Sequence, residues 1–276
     1  MGQASEMGEL GRELAGAKLT RRLSVLGLRP DGYHLIDAEM VSLDLADELL
    51  FSDGTGLEVT DRIAWTGSGA VESLPVPEDA SNLVAHALAV CGGVAHVHLT
   101  KRIPAGAGLG GGSADAAAVL RWRGAFDLEL AKELGADVPF CLRGGRARVG
   151  GIGEVLHPLP YEELTVLLLS PAFSVSTPSA YAAFDELSRE GRIPEGLRND
   201  LEPGALAVEP RLGRVRALFA EVAGEEPVLA GSGSTYFLEC AQDRATTLAT
   251  ELVEACRDVS LRALVQVTRT TEPLGR

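Results

Sequence analysis

Basic residues are scarce in this chain: 25 Lys and Arg face 39 Asp and Glu, a formal net charge of −14 over 276 residues. That balance argues against a general nucleic-acid binder or a protein that coats an anionic membrane, because both need a positive surface. An anionic ligand must therefore be met by local donors. Only four cysteines occur (Cys91, Cys141, Cys240, Cys256), with no C-x-x-C pair. Neither a disulfide framework nor a zinc site is indicated, and a reducing cytoplasm fits. Long apolar runs are missing as well, since no uncharged apolar stretch reaches the roughly 18 residues of a membrane span. Residues 1–17 carry Glu6, Glu9 and Glu13 and lack an apolar core, which excludes a secretory signal. Gly2 fits the start of a myristoylation pattern, but Glu6 stands where Ser or Thr is required. The segment 1–17 reads as a polar, helical N-terminal extension. Internal repeats and low-complexity tracts are absent.

Two familiar phosphate signatures are also missing. No Lys-Ser or Lys-Thr follows a glycine, which removes P-loop NTPases, and neither His-Arg-Asp nor Asp-Phe-Gly occurs, which removes protein kinases. What is present is the segment Pro104-Ala-Gly-Ala-Gly-Leu-Gly-Gly-Gly-Ser-Ala-Asp-Ala-Ala-Ala-Val-Leu120. Five glycines (Gly106, Gly108, Gly110, Gly111, Gly112) within seven positions permit positive φ and let a ligand approach bare backbone. The helix that follows, with Ser113 expected as its cap, aims its free N–H groups and positive dipole end at the loop. A phosphate is the natural occupant. The contact segment is then Pro104, Ala105, Gly106, Ala107, Gly108, Leu109, Gly110, Gly111, Gly112, Ser113 and Ala114. Gly106, Gly108 and Gly111 formally satisfy G-x-G-x-x-G. A dinucleotide fold, however, wants that motif straight after a buried strand near the start of its domain, whereas Lys101-Arg102 and Pro104 precede it here.

Patterning divides the chain into two halves. In the first, strands are expected over 19–28 and 35–45, joined by an Arg29-Pro-Asp-Gly32 turn, with short strands and loops over 52–80. A helix capped by Ser81 or Asn82 should run to Val90, and a strand over 94–100 leads into the glycine loop. In the second half, a buried strand over 164–169 precedes helices over 177–187, 211–222 and 243–257 and a closing strand over 261–267. This predicts an α+β sandwich with helices on one face of an antiparallel sheet, and a joint between halves near 155–163.

Pro104–Leu120 resembles the second motif of the GHMP small-molecule kinases. Three further features resemble one branch of that family, which serves the non-mevalonate isoprenoid route. They are Arg29-Pro-Asp-Gly-Tyr-His34, Leu134-Gly-Ala-Asp-Val-Pro-Phe140 with Gly151-Ile-Gly-Glu154, and Gly231-Ser-Gly233 ahead of a strand. The likeness runs from about residue 17 to residue 267. It implies a GHMP kinase fold: a ribosomal-S5-like N-terminal ATP-binding domain (18–157) and a ferredoxin-like C-terminal domain (158–276). The implied reaction moves the γ-phosphoryl group of ATP, with Mg²⁺, to the 2-hydroxyl of a cytidine-diphosphate methylerythritol. The implied partner is that small molecule, with no nucleic acid and no membrane, and the protein is expected as a monomer or homodimer.

By the same resemblance Asp137 is the catalytic acid–base residue that readies the acceptor hydroxyl, and Lys18 is the ammonium that stabilises the transferred phosphoryl group. Read without the resemblance, Asp137 serves equally as a helix cap before Val138-Pro139, and a lone lysine such as Lys18 is ordinarily solvated. Tyr33 and His34 align with the family's cytosine-recognising pair, the first by stacking and the second by hydrogen bonding. Tyr181 resembles the opposite face of that sandwich, with a core position on an amphipathic helix as the alternative. Gly233 and its neighbours are expected to approach the substrate or phosphate from the second half, unless they form a plain hairpin turn. Thr20 stands where the family usually has Asn, so a hydroxyl replaces an amide near the substrate. Arg21-Arg22 replace residues that are usually more apolar, and the 113–137 connection is short. His96 and His98 share a strand face, but without a third ligand they read as solvated. The metal ligands stay unknown, with Ser113 as the one candidate. Rival readings are a sibling kinase acting on mevalonate, homoserine or a sugar, a nonenzymatic nucleotide-binding relative, and a dehydrogenase.

Overall fold

A computed structural model describes residues 8–72 and 75–274. Strand β1 (Glu9–Leu28) pairs antiparallel along nearly its whole length with β2 (His34–Ser52), through the turn at Arg29–Tyr33. The expectation of a helical extension over residues 1–17 fails where it can be judged: residues 9–17 are the first half of β1. Ala15 and Ala17 are fully buried beneath neighbouring strands and helices, so this segment is part of the sheet. Residues 1–7 lie outside the described set.

Next come β3 (Gly56–Asp61), β4 (Trp65–Thr66), α1 (Leu83–Val90) and β5 (His96–Lys101). Asn82 caps α1 by accepting from the Val84 amide at 2.9 Å. Three helices follow: α2 (Gly111–Trp122), α3 (Leu128–Leu134) and α4 (Val138–Arg143). The hairpin β6 (Arg146–Gly150) and β7 (Val155–Pro158) completes the first sheet, whose order is β3-β5-β2-β6-β7 with β1 on the other edge of β2. Only β3 and β5 are parallel. Helices α1–α4 cover one face of this sheet, where the coplanar rings of Phe51 and Trp122 stack at 4.2 Å.

The second half opens with β8 (Thr165–Pro171), buried at every position after the first, as its unbroken apolar run requires of a central strand. Helices α5 (Thr177–Arg189), α6 (Glu202–Val208) and α7 (Arg211–Ala223) precede β9 (Val228–Leu229) and β10 (Tyr236–Glu239). Helix α8 (Gln242–Asp258) and β11 (Ala263–Arg269) close the chain. The sheet order is β4-β11-β8-β10-β9, all antiparallel, with a core against α5–α8. Helix α6 had no signal in the pattern, because its seven residues start with Glu-Pro-Gly and sit on α5.

The halves are interlaced. Strand β4, from the first half, pairs with β11, and Pro273 bridges back to Gly144. A third cluster fills the space between the sheets, with Leu19, Val41 and Leu43 meeting Val166, Leu168 and Phe237. Arg21 ties the seam with charge. Its guanidinium donates to Glu239 at 2.8 and 2.9 Å, to Glu39 at 2.6 Å and to Glu162 at 3.1 Å. Burial lowers and these carboxylates raise its affinity for the proton, the Glu239 hydrogen bond most of all, and the net direction is upward. Replacing Arg21 by Leu removes the cation shared by all three carboxylates and leaves Arg146 on Glu39 and Glu162 and Arg198 on Glu239. Unfolding free energy should drop by about 1–3 kcal/mol, measured by urea titration, and an unchanged midpoint would show that the seam does not depend on this residue.

Candidate active site

A cleft of about 890 Å³ lies between the halves, and it gathers the residues singled out by sequence. Its floor is the glycine loop. Gly106, Gly108 and Gly110 all take positive φ, and two of them have no room for a side chain. A Cβ on Gly108 would sit 2.3 Å from the Ala230 carbonyl oxygen, and one on Gly110 would sit 2.6 Å from Cγ of Lys18. The expected Ser113 cap is not formed. Gly110, in the left-handed conformation at φ 68, occupies the cap position of α2, and Ser113 is the third helical residue. The first amide bonded within the helix is that of Ala114, to the Gly110 carbonyl, which leaves the amides of Gly111, Gly112 and Ser113 free at the positive end of the dipole. Pro104–Gly108 and Gly110–Ser113 face the cleft, whereas Leu109 and Ala114 turn into the core. Leu109 still matters through its backbone, because its carbonyl accepts from the Lys18 amide at 2.9 Å.

Lys18 is not a solvated lysine. It is 6% exposed on β1, where register shifts on either side of Lys18–Thr20 re-aim the strand. Its ammonium donates to Thr20 Oγ1 at 3.3 Å and meets the Asp137 carboxylate at 3.2 Å. Asp137 occupies the cap position of α4, yet its carboxylate makes no capping hydrogen bond; it faces Lys18 instead. Lys18, Thr20 and Asp137 therefore form one group beside Gly110.

Tyr33 and His34 stand in different surroundings: Tyr33 is 58% exposed on the turn. The face of Tyr181 is taken by His34, with ring centroids 4.5 Å apart and planes 25° from parallel. The turn is short and closes on itself through Arg29 N–H to the Tyr33 carbonyl, so it projects the residue before β2 outward and the first residue of β2 inward. Burial, then the Asp137 carboxylate, pushes the Tyr181 hydroxyl up to about 12. Gly231 and Ser232 face the cleft, whereas Gly233 packs on Leu229 and against Gly108. The plain-hairpin reading of this segment is incomplete, since the Thr235 amide donates to the Ala107 carbonyl at 3.1 Å and locks the two loops together.

Several residues in and beneath the cleft escaped the sequence. Beneath the loop, Lys101 donates to Asp115 at 2.7 Å and to Asp47, and Asp47 also accepts from the amides of Arg102 and Ile103. All three side chains are almost fully buried. Two carboxylates share one ammonium: burial first, and then Asp47, push Asp115 up to about 7 against the pull of Lys101. Asp115 Oδ1 has no hydrogen-bond partner among the described residues. Separately, Leu83 borders the loop at Gly112, and Pro77 and Val76 join it in the cleft wall. The Asp185 carboxylate meets His34. None of these has a local motif, because each is paired across long sequence separation.

Among the described residues no group of three or more His, Cys, Asp or Glu is placed to hold a metal, and His98 is engaged by Glu58 and Thr60. No helix among them is long and apolar enough to cross a membrane.

The sequence model of the GHMP kinases N terminal domain matches residues 78–145, the stretch that carries α1, β5, the glycine loop and Asp137. A 4-diphosphocytidyl-2-C-methyl-D-erythritol kinase of Cereibacter sphaeroides is 37% identical over 266 residues, covering 87% of this chain and 93% of its own. The kinase of that name from Paramagnetospirillum magneticum is 39% identical over 261 residues, covering 84% and 90%. A crystal structure of 4-(cytidine 5'-diphospho)-2C-methyl-D-erythritol kinase superposes with a TM-score of 0.69 at 32% identity, over 95% of this chain and all of that one. The fold and the glycine-loop cleft are those of a GHMP small-molecule kinase, for which ATP is the phosphate donor. Within that class the chain belongs to the 4-diphosphocytidyl-2-C-methyl-D-erythritol kinases.

Two outcomes test the site. Gly108→Ala must displace the 230–235 loop, and ATP affinity measured by calorimetry should fall at least about tenfold with the fold retained by circular dichroism. Lys101→Met strands two buried carboxylates, and unfolding free energy at neutral pH should drop by about 3–5 kcal/mol in urea titration.

Proposed function

We propose that this kinase transfers the γ-phosphoryl group of ATP to the 2-hydroxyl of 4-diphosphocytidyl-2-C-methyl-D-erythritol. The observation that carries the reading is the Lys18–Asp137 pair at 3.2 Å, set beside the glycine loop in the same cleft as His34 and Tyr181. Phosphoryl transfer has a loose transition state whose charge lies on the equatorial oxygens, so it asks mainly for positioning and charge stabilisation. The free amides of Gly111, Gly112 and Ser113 supply donors for the phosphates, and the absence of Cβ atoms from the loop admits them to the backbone. The adenine side lies past Gly112, where Leu83 and Val76 offer apolar walls, and the acceptor side lies at Gly110, where Lys18 stands.

In this arrangement Asp137 accepts the proton of the acceptor hydroxyl, and the Lys18 ammonium faces the phosphoryl group in transit. Thr20 accepts from Lys18 and so holds its Nζ in place, a task that an amide oxygen would also perform. His34 reads the pyrimidine edge and Tyr33 closes over its face. The oxygen donor that borders the loop and fits a hard cation is the Ser113 hydroxyl; Mg²⁺ keeps several waters and needs few protein ligands. When bound it would neutralise the β- and γ-oxygens. We place the division between the ATP-binding and C-terminal units at residues 158–164, with β4 exchanged across it.

Purified protein with Mg-ATP should release ADP with the cytidine-diphosphate methylerythritol and not with mevalonate, homoserine or galactose. Turnover on an acceptor without cytosine would defeat the assignment. Asp137→Asn should lower kcat at least about 10²-fold with ATP affinity nearly intact. Near-normal turnover would remove Asp137 from its role.

A further inference from the structure

His34 is held on three sides. Tyr181 stacks on its face, Phe184 meets it edge-on with centroids 6.5 Å apart, and its Nε2 lies 2.7 Å from Oδ1 of Asp185. Tyr181 and Asp185 stand four residues apart on α5, so one face of one helix supplies both contacts. The helix start is fixed by Ser176, whose hydroxyl accepts from the Ser179 amide. On the other side, His34 is the first residue of β2, anchored by the strand pairing of Leu28 with His34. The ring therefore has little freedom to turn over, and all of His34, Tyr181 and Asp185 line the cleft.

We propose that Asp185 is a positioning residue that fixes the tautomer of His34 and thereby makes the cleft select cytosine over uracil. An ionised carboxylate accepts and never donates, so the hydrogen between the two side chains resides on Nε2. When the ring is neutral, Nδ1 then carries a lone pair, and Nδ1 has no partner among the described residues. Cytosine and uracil differ at C4, where the first presents an amino donor and the second a carbonyl acceptor. A lone pair facing the amino group completes a hydrogen bond, and the same lone pair facing the carbonyl leaves two acceptors opposed and both desolvated. Without the carboxylate the ring samples both tautomers, and this distinction weakens. The inference rests on the reading that the cleft takes a cytidine diphosphate.

The test uses the full-length protein, ¹⁵N-labelled at its five histidines, with the His34 signals assigned by their loss in His34→Gln. The expected result is Nε2 protonated and Nδ1 bare in the unmodified chain, and a mixture of both tautomers in Asp185→Ala. Calorimetry with CDP and UDP should show a preference for CDP that falls at least roughly tenfold in Asp185→Ala, with the loss in turnover appearing in KM rather than kcat. Asp185→Asn, whose amide can donate or accept, should fall between the two. A protonated Nδ1 in the unmodified chain overturns the proposal. So does an unchanged CDP-to-UDP ratio in a folded Asp185→Ala. Binding of ATP with neither CDP nor UDP overturns instead the cytidine reading of the cleft, and this inference with it.

Discussion

A buried ammonium cannot stand without counter-charge, and Lys101 meets that requirement by binding one carboxylate from β2 and another from α2. Asp47 is the first of these, and the same group also takes the two backbone amides that open the glycine loop. The strand, the loop and the helix are thus fixed to each other at one point. Everything above depends on it: the free amides at the helix start, the tight approach of Gly110 to Lys18, and the contact of Gly108 with the 230–235 loop. Because the three groups are sealed from water, breaking one contact exposes the others to the full cost of burial.

Much of this architecture was written in local pattern. The glycine run favoured a close-approach loop over a plain flexible turn, and the strands and longer helices followed from apolar periodicity and from start signals such as Asn82 and Thr177-Pro178. Lys18 and Asp137 carried no local signal strong enough to outweigh a solvated lysine or a capping aspartate. They came from resemblance, and the geometry then set them side by side. Other features were illegible for a physical reason. The Asp47–Lys101–Asp115 group and the His34–Asp185 contact join residues 14 to 151 positions apart, and no one-dimensional pattern encodes such pairing. Ser113 misled because capping usually belongs to a hydroxyl, whereas here the chain turns into α2 through a left-handed glycine that only a bare backbone tolerates. The N-terminal segment misled through its charge: acidic residues four apart, Glu9 and Glu13, on a half-exposed edge strand resemble a polar helix until the partner strand is known.

In the proposed reading the two ends of the cleft work on different principles. At the glycine loop the recognising atoms would be backbone amides, so side-chain identity matters mainly by its absence. At His34 and Tyr181 they would be ring atoms, so the orientation of a few side chains decides what can be read. Thr20 and Lys18 sit between, on a strand whose irregular pairing turns both side chains toward the cleft.

The exchange of β4 into the second sheet, with the return of the chain end to Gly144, has a consequence for motion. Two bodies stitched twice across their seam cannot swing as a simple hinge, because any wide rotation would tear hydrogen-bonded strand from strand. Ligands must then enter and leave past the exposed rim of the cleft, where Tyr33 stands, while the frame stays still.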